Sequence, residues 1–264
     1  MFSTICDFLH LHVKRQSRAP AFFPRQRAET SFYDSRAPRL RRWVVVAREA
    51  KALVLKRVLV RFVGVDGLGL KRAGVLLFLG TVQFTFFFVV AEIYYPGYNV
   101  SSNYISDLGA TCRNGTCNFV QPSSSIFNTS VVLLGLSLFL GSYYVWKGSG
   151  SKALSFFLLL SGVGGVGVGV FNESYGSIHT LFSALTFVAG GIQAILVSRV
   201  ARPPMSYFSV AAGVITLAAT LLFLSGTYFG LGAGGMERMI AFPVLFATLA
   251  FGGYLIGMNS ADLR

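Results

Sequence analysis

Asp107 and His179 are the residue types from which a general acid/base pair is made, because imidazole titrates near neutrality and a carboxylate can orient it. Ser106, beside Asp107, is a hydroxyl that such a pair would activate as a nucleophile. Glu92, Glu237 and Arg238 form a second set, suited to ligand binding, and Arg238 offers a planar fork to Asp107, to Glu92 or to a lipid phosphate. Adjacent residues on a helix do not face each other, so Glu237 and Arg238 must have different partners. A structural account stands beside each chemical one: Asp107 capping a turn, His179 hydrogen-bonding at a helix start, and Arg238 tying the last span to the first loop. Glu92 draws the strongest functional suspicion, as the acid expected to lie deepest. His179 is the only histidine beyond the amino-terminal tail and no CxxC occurs, so no metal site and no cofactor are expected.

The elements that position these residues follow from composition. Of 264 residues, 53% are apolar and 12% charged, about half the charge a soluble domain carries. The apolar residues fall in runs of roughly twenty, the length at which a helix crosses the hydrocarbon core. The expected fold is therefore all-α: a polytopic membrane protein, a six-transmembrane-helix bundle preceded by a basic extension over residues 1–70. The spans are expected at residues 73–95, 126–146, 153–171, 178–197, 206–229 and 239–258. Lys71, Arg72, Lys147, Lys152, Arg199, Arg202 and Arg264 all fall on one side of that plan, against Arg113 and Arg238 on the other. The basic side is cytoplasmic by the positive-inside rule, which makes the expectation a multi-pass cell-membrane protein with both termini cytoplasmic. All of the chemical candidates then sit at the outer surface.

Sixteen of the 23 Lys and Arg residues lie in residues 1–72, so one segment sets the pI of 10.1. Beside a hydrophobic span such a segment attracts anionic headgroups, and no nucleic-acid partner is expected. No Met intervenes between Met1 and Met205, and a start within residues 65–70 from a Val or Leu codon is weighed against the full extension. Cys112 and Cys117 bracket Arg113-Asn114-Gly115-Thr116, and are a disulfide candidate if that loop meets an oxidising exterior. Asn-x-Ser/Thr sequons occur at Asn99, Asn114, Asn128 and Asn172, all near the outer face, as candidate glycosylation sites. Gly162, Gly164, Gly165, Gly167 and Gly169 lie in the third span; with no preceding strand and no following Lys-Ser/Thr, they serve helix packing rather than phosphate binding.

Several of these residues form a recognisable set: Tyr95-Pro96-Gly97-Tyr98, Asn103 to Gly109, Phe127-Asn128, Gly169 to Asn172, His179 and Glu237-Arg238. It resembles, over about Leu70 to Gly257, the prokaryotic six-span membrane family catalogued as domain of unknown function nine hundred ninety-eight. More distantly the plan is similar to the autophagy-modulator and GPI-lipid-remodelling membrane families. The resemblance implies a fold and, through the distant families, lipid handling at the outer leaflet. The leading expectation is a lipid-associated protein that binds or modifies a headgroup, with membrane lipids as partners. A small-solute transporter and a non-catalytic scaffold are the alternatives; neither catalysis nor oligomeric state follows from the residues.

Overall fold

The computed structural model describes residues 67–258; the basic extension before them, the alternative start and Arg264 lie outside the described residues. Six helices are long and apolar enough to cross a membrane: α1 (Gly67–Ile93), α2 (Ser123–Ser149), α3 (Lys152–Val170), α4 (Ser177–Leu196), α5 (Met205–Leu224) and α6 (Gly232–Gly257). Each packs on the next in sequence and α6 returns to α1, so the six close into a ring, with α4 also touching α6. Alternating directions put the connections at 150–151 and 197–204 at one end, which carries Lys147, Lys152, Arg199 and Arg202 and is termed the basic end. The other, polar end carries the long 94–122 connection and the shorter ones at 171–176 and 225–231.

The side-chain distribution is that of a protein in lipid. Phe86, Leu79, Phe156, Leu221 and Tyr207 are exposed on the ring's outside, whereas Thr81, Ser130, Gln193, Thr216 and Thr248 are buried within it. With lipid as apolar as any side chain, close packing and hydrogen bonds hold such helices together. Gln83 Nε2 reaches the Ser130 carbonyl at 3.0 Å, Gln193 Nε2 the Thr248 hydroxyl at 3.1 Å, and Thr216 Oγ1 the Ile240 carbonyl at 3.0 Å. The glycines do the rest. A Cβ on Gly162 of α3 would stand 2.7 Å from the backbone nitrogen of Phe139 on α2, and one on Gly252 of α6 would stand 2.7 Å from that of Phe78 on α1. Glycine thus brings backbones together both inside the α2–α3 hairpin and where the ring closes.

Helix bounds differ most from the expected spans at three points. α1 starts at Gly67 rather than at residue 73. α5 stops at Leu224, because Gly226 adopts a φ of +71° and turns the chain. α6 starts at Gly232 rather than at residue 239, which places Glu237 and Arg238 in its second turn instead of at its opening.

Candidate functional site at the polar end

The 94–122 connection is folded onto the bundle rather than left loose. It contains a 3-10 turn at Ser106–Leu108 and a hairpin, β1 (Thr111–Arg113) with β2 (Thr116–Asn118), paired Cys112 to Cys117. Asn114 and Gly115, both at positive φ, make its two-residue turn, where Asn and Gly carry that geometry at least cost. A disulfide joins Cys112 and Cys117 across the pair. The hairpin thereby aims Arg113 back at the turn before it.

Asp107 is fully buried and fully engaged. Arg113 Nη2 donates to both of its oxygens, at 2.9 and 2.8 Å, and Oδ2 also accepts from Asn103 Nδ2 at 3.0 Å and Tyr104 N at 2.9 Å. The guanidinium lies 5.1 Å from the centre of the Tyr104 ring, and 3.7 Å separates it from Glu173. Glu173 accepts from Ser106 Oγ at 2.7 Å and from Cys112 N at 3.3 Å. Burial pushes its carboxyl above the ordinary range, with the Ser106 hydrogen bond opposing and the neighbouring Asp107 charge adding to the rise.

Arg238 is a clasp. Nη1 donates to the carbonyls of Val100, Asn103 and Gly234, while Nη2 donates to Glu92 Oε1 at 2.9 Å and to the Tyr98 hydroxyl at 2.7 Å. Burial pushes the Tyr98 hydroxyl up, and Arg238 draws it partly back. Gly234 N donates to the Ser101 carbonyl, and a Cβ at Gly234 would meet the Val100 carbonyl at 2.8 Å, so loop and helix meet backbone to backbone. Glu92, expected to be the deepest acid, is the less buried of this pair: its side chain is 24% exposed against 8% for Arg238. No lipid phosphate is needed to satisfy Arg238, whose fork is filled by the protein.

The expected acid/base pair is not assembled. Asp107 is held by Arg113, and no hydrogen bond links it to His179 among the described residues. His179 is buried, with Nδ1 2.8 Å from the Phe171 carbonyl and Nε2 3.4 Å from Ser183 Oγ one turn on. Ser106 donates to Glu173, not to a histidine. Asn128 is also corrected as a glycosylation candidate, since its Nδ2 donates to the Gly109 carbonyl at 3.1 Å and to Ser124 Oγ, and its Oδ1 is buried. Asn99 and Asn114 are exposed, and Asn172 turns its carbonyl oxygen onto Ser174.

What the structure does bring together is a groove. Ser106, Glu173, His179, Ser183 and Glu237 line a cavity of about 300 Å³, together with Tyr104, the hydroxyls of Thr180 and Thr220, and apolar walls that include Phe187, Val188 and Ile240. It lies along α4, α5 and the first turns of α6. Ser106, Ser183, Phe187 and Glu237 also line a second cavity, of about 90 Å³, that runs down inside the ring to Gln193 and Thr248. Glu237, 8% exposed, stands at the junction; one oxygen accepts from Ile105 N, and it makes no ion pair among the described residues. Ser183 was not legible as a site residue, because a lone serine in an apolar span carries no signal. Arg113 carried one: it is a base between two cysteines five residues apart.

No curated protein and no solved structure matches the chain. A family model does, over residues 78–254, a stretch that takes in most of α1, the clasped connection, and α6 through Tyr254. With about two-thirds of its length so matched, the chain belongs to the family described as "Protein of unknown function (DUF998)".

Proposed function

We propose that this multi-pass membrane protein binds a membrane amphiphile in the groove of α4, α5 and α6, with the head at the polar end and the chain along Phe187, Val188 and Ile240. One observation carries the reading: a single cavity combines ionisable and hydroxyl side chains, Glu173, His179 and Glu237 among them, with apolar side chains such as Phe187, Val188 and Ile240. That is the division of a lipid's own surface. Leu224, which lines it, is exposed to the surroundings of the bundle, as are Leu181 and Leu221 beside the lining residues Thr180 and Thr220, so lipid has lateral access. Binding is favoured over hydrolysis, since Asp107 and His179 are each engaged elsewhere. The positive-inside reading puts the basic end in the cytoplasm and the groove's head region at the outer leaflet.

A phospholipid carrying a diazirine in its acyl chain tests this on the purified protein. Crosslinks are expected on the peptides bearing Phe187 and Phe223, and Ala184→Trp, which fills the groove, is expected to remove them. Labels spread evenly over all exposed helix faces and indifferent to Ala184→Trp would refute the binding site. The orientation is tested by a carboxy-terminal green fluorescent protein, which is expected to fluoresce, beside an alkaline phosphatase fusion at the same point, expected to be silent. Transport is the second reading, and its support is the inner cavity that continues from Glu237 to Gln193. Solute flux in proteoliposomes with no lipid labelling would favour it.

A further inference from the structure

The polar end holds four carboxylates, Glu92, Asp107, Glu173 and Glu237, and two guanidiniums, Arg113 and Arg238, among the described residues. The pairings are unequal. Arg238 takes Glu92, and Arg113 takes Asp107 with both of its oxygens while only approaching Glu173. The acid left over, Glu237, and the more loosely paired Glu173 are the two that line the groove. Neither arginine lines it, and each has its donors directed at protein acceptors.

Glu237 is the sharper case. It is nine-tenths buried, its one hydrogen bond among the described residues is to Ile105 N, and its other oxygen has no protein donor. A carboxylate so placed, with no partner charge, is costly, so the acid either keeps its proton or takes a cation beside it. The other hydroxyls of the lining are engaged: Thr180 and Thr220 donate to the carbonyls of Gly176 and Thr216, and Ser183 lies on His179 Nε2. Ser106 is committed to Glu173, and His179 Nδ1 lies on the Phe171 carbonyl. Aromatic rings of Tyr104, Phe187 and Phe223 form part of the lining, and ring faces attract ammonium groups. A phosphate or carboxylate head would instead meet two acids with no arginine available.

Resting on the amphiphile-binding reading of the same groove, we propose that its ligand carries a cationic nitrogen at its head, a long-chain ammonium, held between Glu173 and Glu237. The chain then lies toward Phe187 and Val188, and the inner cavity beneath Glu237 remains behind the head.

Three photoactivatable probes with one hexadecyl chain and different heads, trimethylammonium, hydroxyl and phosphate, test this on the full-length protein in dodecyl maltoside. The ammonium probe is expected to label the groove peptides about tenfold more strongly than the phosphate probe, the discrimination of one buried charge pair. Glu237→Gln keeps the acceptor for Ile105 N and removes the charge, so it is expected to lower ammonium labelling toward the hydroxyl level. Glu173→Gln does the same by an independent route should the first variant fail to fold, as thermal melting would reveal. Equal labelling by all three probes, or ammonium labelling unchanged in both glutamine variants, overturns the ammonium proposal while leaving the groove. Labelling that survives Ala184→Trp overturns the groove itself, and the proposal with it.

Discussion

Replacing Arg238 with methionine keeps the apolar stem and deletes the fork. The five hydrogen bonds of that fork go to three carbonyls, the Tyr98 hydroxyl and Glu92, tying the 94–103 stretch to α6. Breaking a buried charge pair by removing one partner costs about 3–5 kcal/mol. Glu92 keeps some water, with its side chain 24% exposed, which argues for the low end, about 3 kcal/mol. At roughly 2–4 °C per kcal/mol for a chain of this size, Arg238→Met should melt about 6–12 °C below the parent in the same detergent. Charge is the reason, so adding Glu92→Gln should return part of the loss, about 1–2 kcal/mol, because no lone carboxylate is then left. Hydrogen exchange should rise at residues 98–105 and not in α2 or α3. A melting temperature within about 2 °C of the parent, or a double variant no more stable than the single one, would refute the clasp as an electrostatic device.

Alkylation before reduction should leave Cys112 and Cys117 unmodified, and reduction should add two labels and cost about 2 kcal/mol, the loop-closure value for so short a ring. Gly162→Val should abolish the folded state by size exclusion, since even a Cβ meets the backbone of α2 at 2.7 and 2.8 Å, while Gly257→Ala, with open space around it, should melt like the parent. Glu173 has a folded-state pKa raised by burial, so the folded form binds more protons than the unfolded one. Its contribution is full below the ordinary carboxylate value and declines as pH rises through the raised one. Glu173→Gln should therefore flatten the pH dependence of melting above about pH 4.5, and an unchanged slope would contradict it.

The six helices were legible because lipid imposes its requirement along the chain: a run of apolar residues is needed whatever the neighbours are. Helix ends were less so. The Gly232–Gly235 stretch has the composition of a loop, yet it is helix, because Ser101 and Asn103 pack against it where only glycine fits. Site residues were legible as types and not as partners. Glu92, Asp107, Glu237 and Arg238 all stood out as charges near apolar runs, but which acid meets which base depends on contacts spanning up to 146 residues. Arg113 captured Asp107 through a local hairpin, and that left Arg238 to Glu92. His179 and Asp107 were paired by chemical habit; the fold gives each a nearer partner.

The ring closure has a consequence for how the molecule is made. Synthesis runs from α1 to α6, so Glu92 reaches the membrane boundary five helices before Arg238 exists. Until the last span arrives, a growing or truncated chain carries an acid without its countercharge, together with the flank of α1 at Gly74 where α6 will lie. The contact that neutralises the first helix therefore forms only once the sixth is in place, and a chain that stops short keeps that acid without its countercharge.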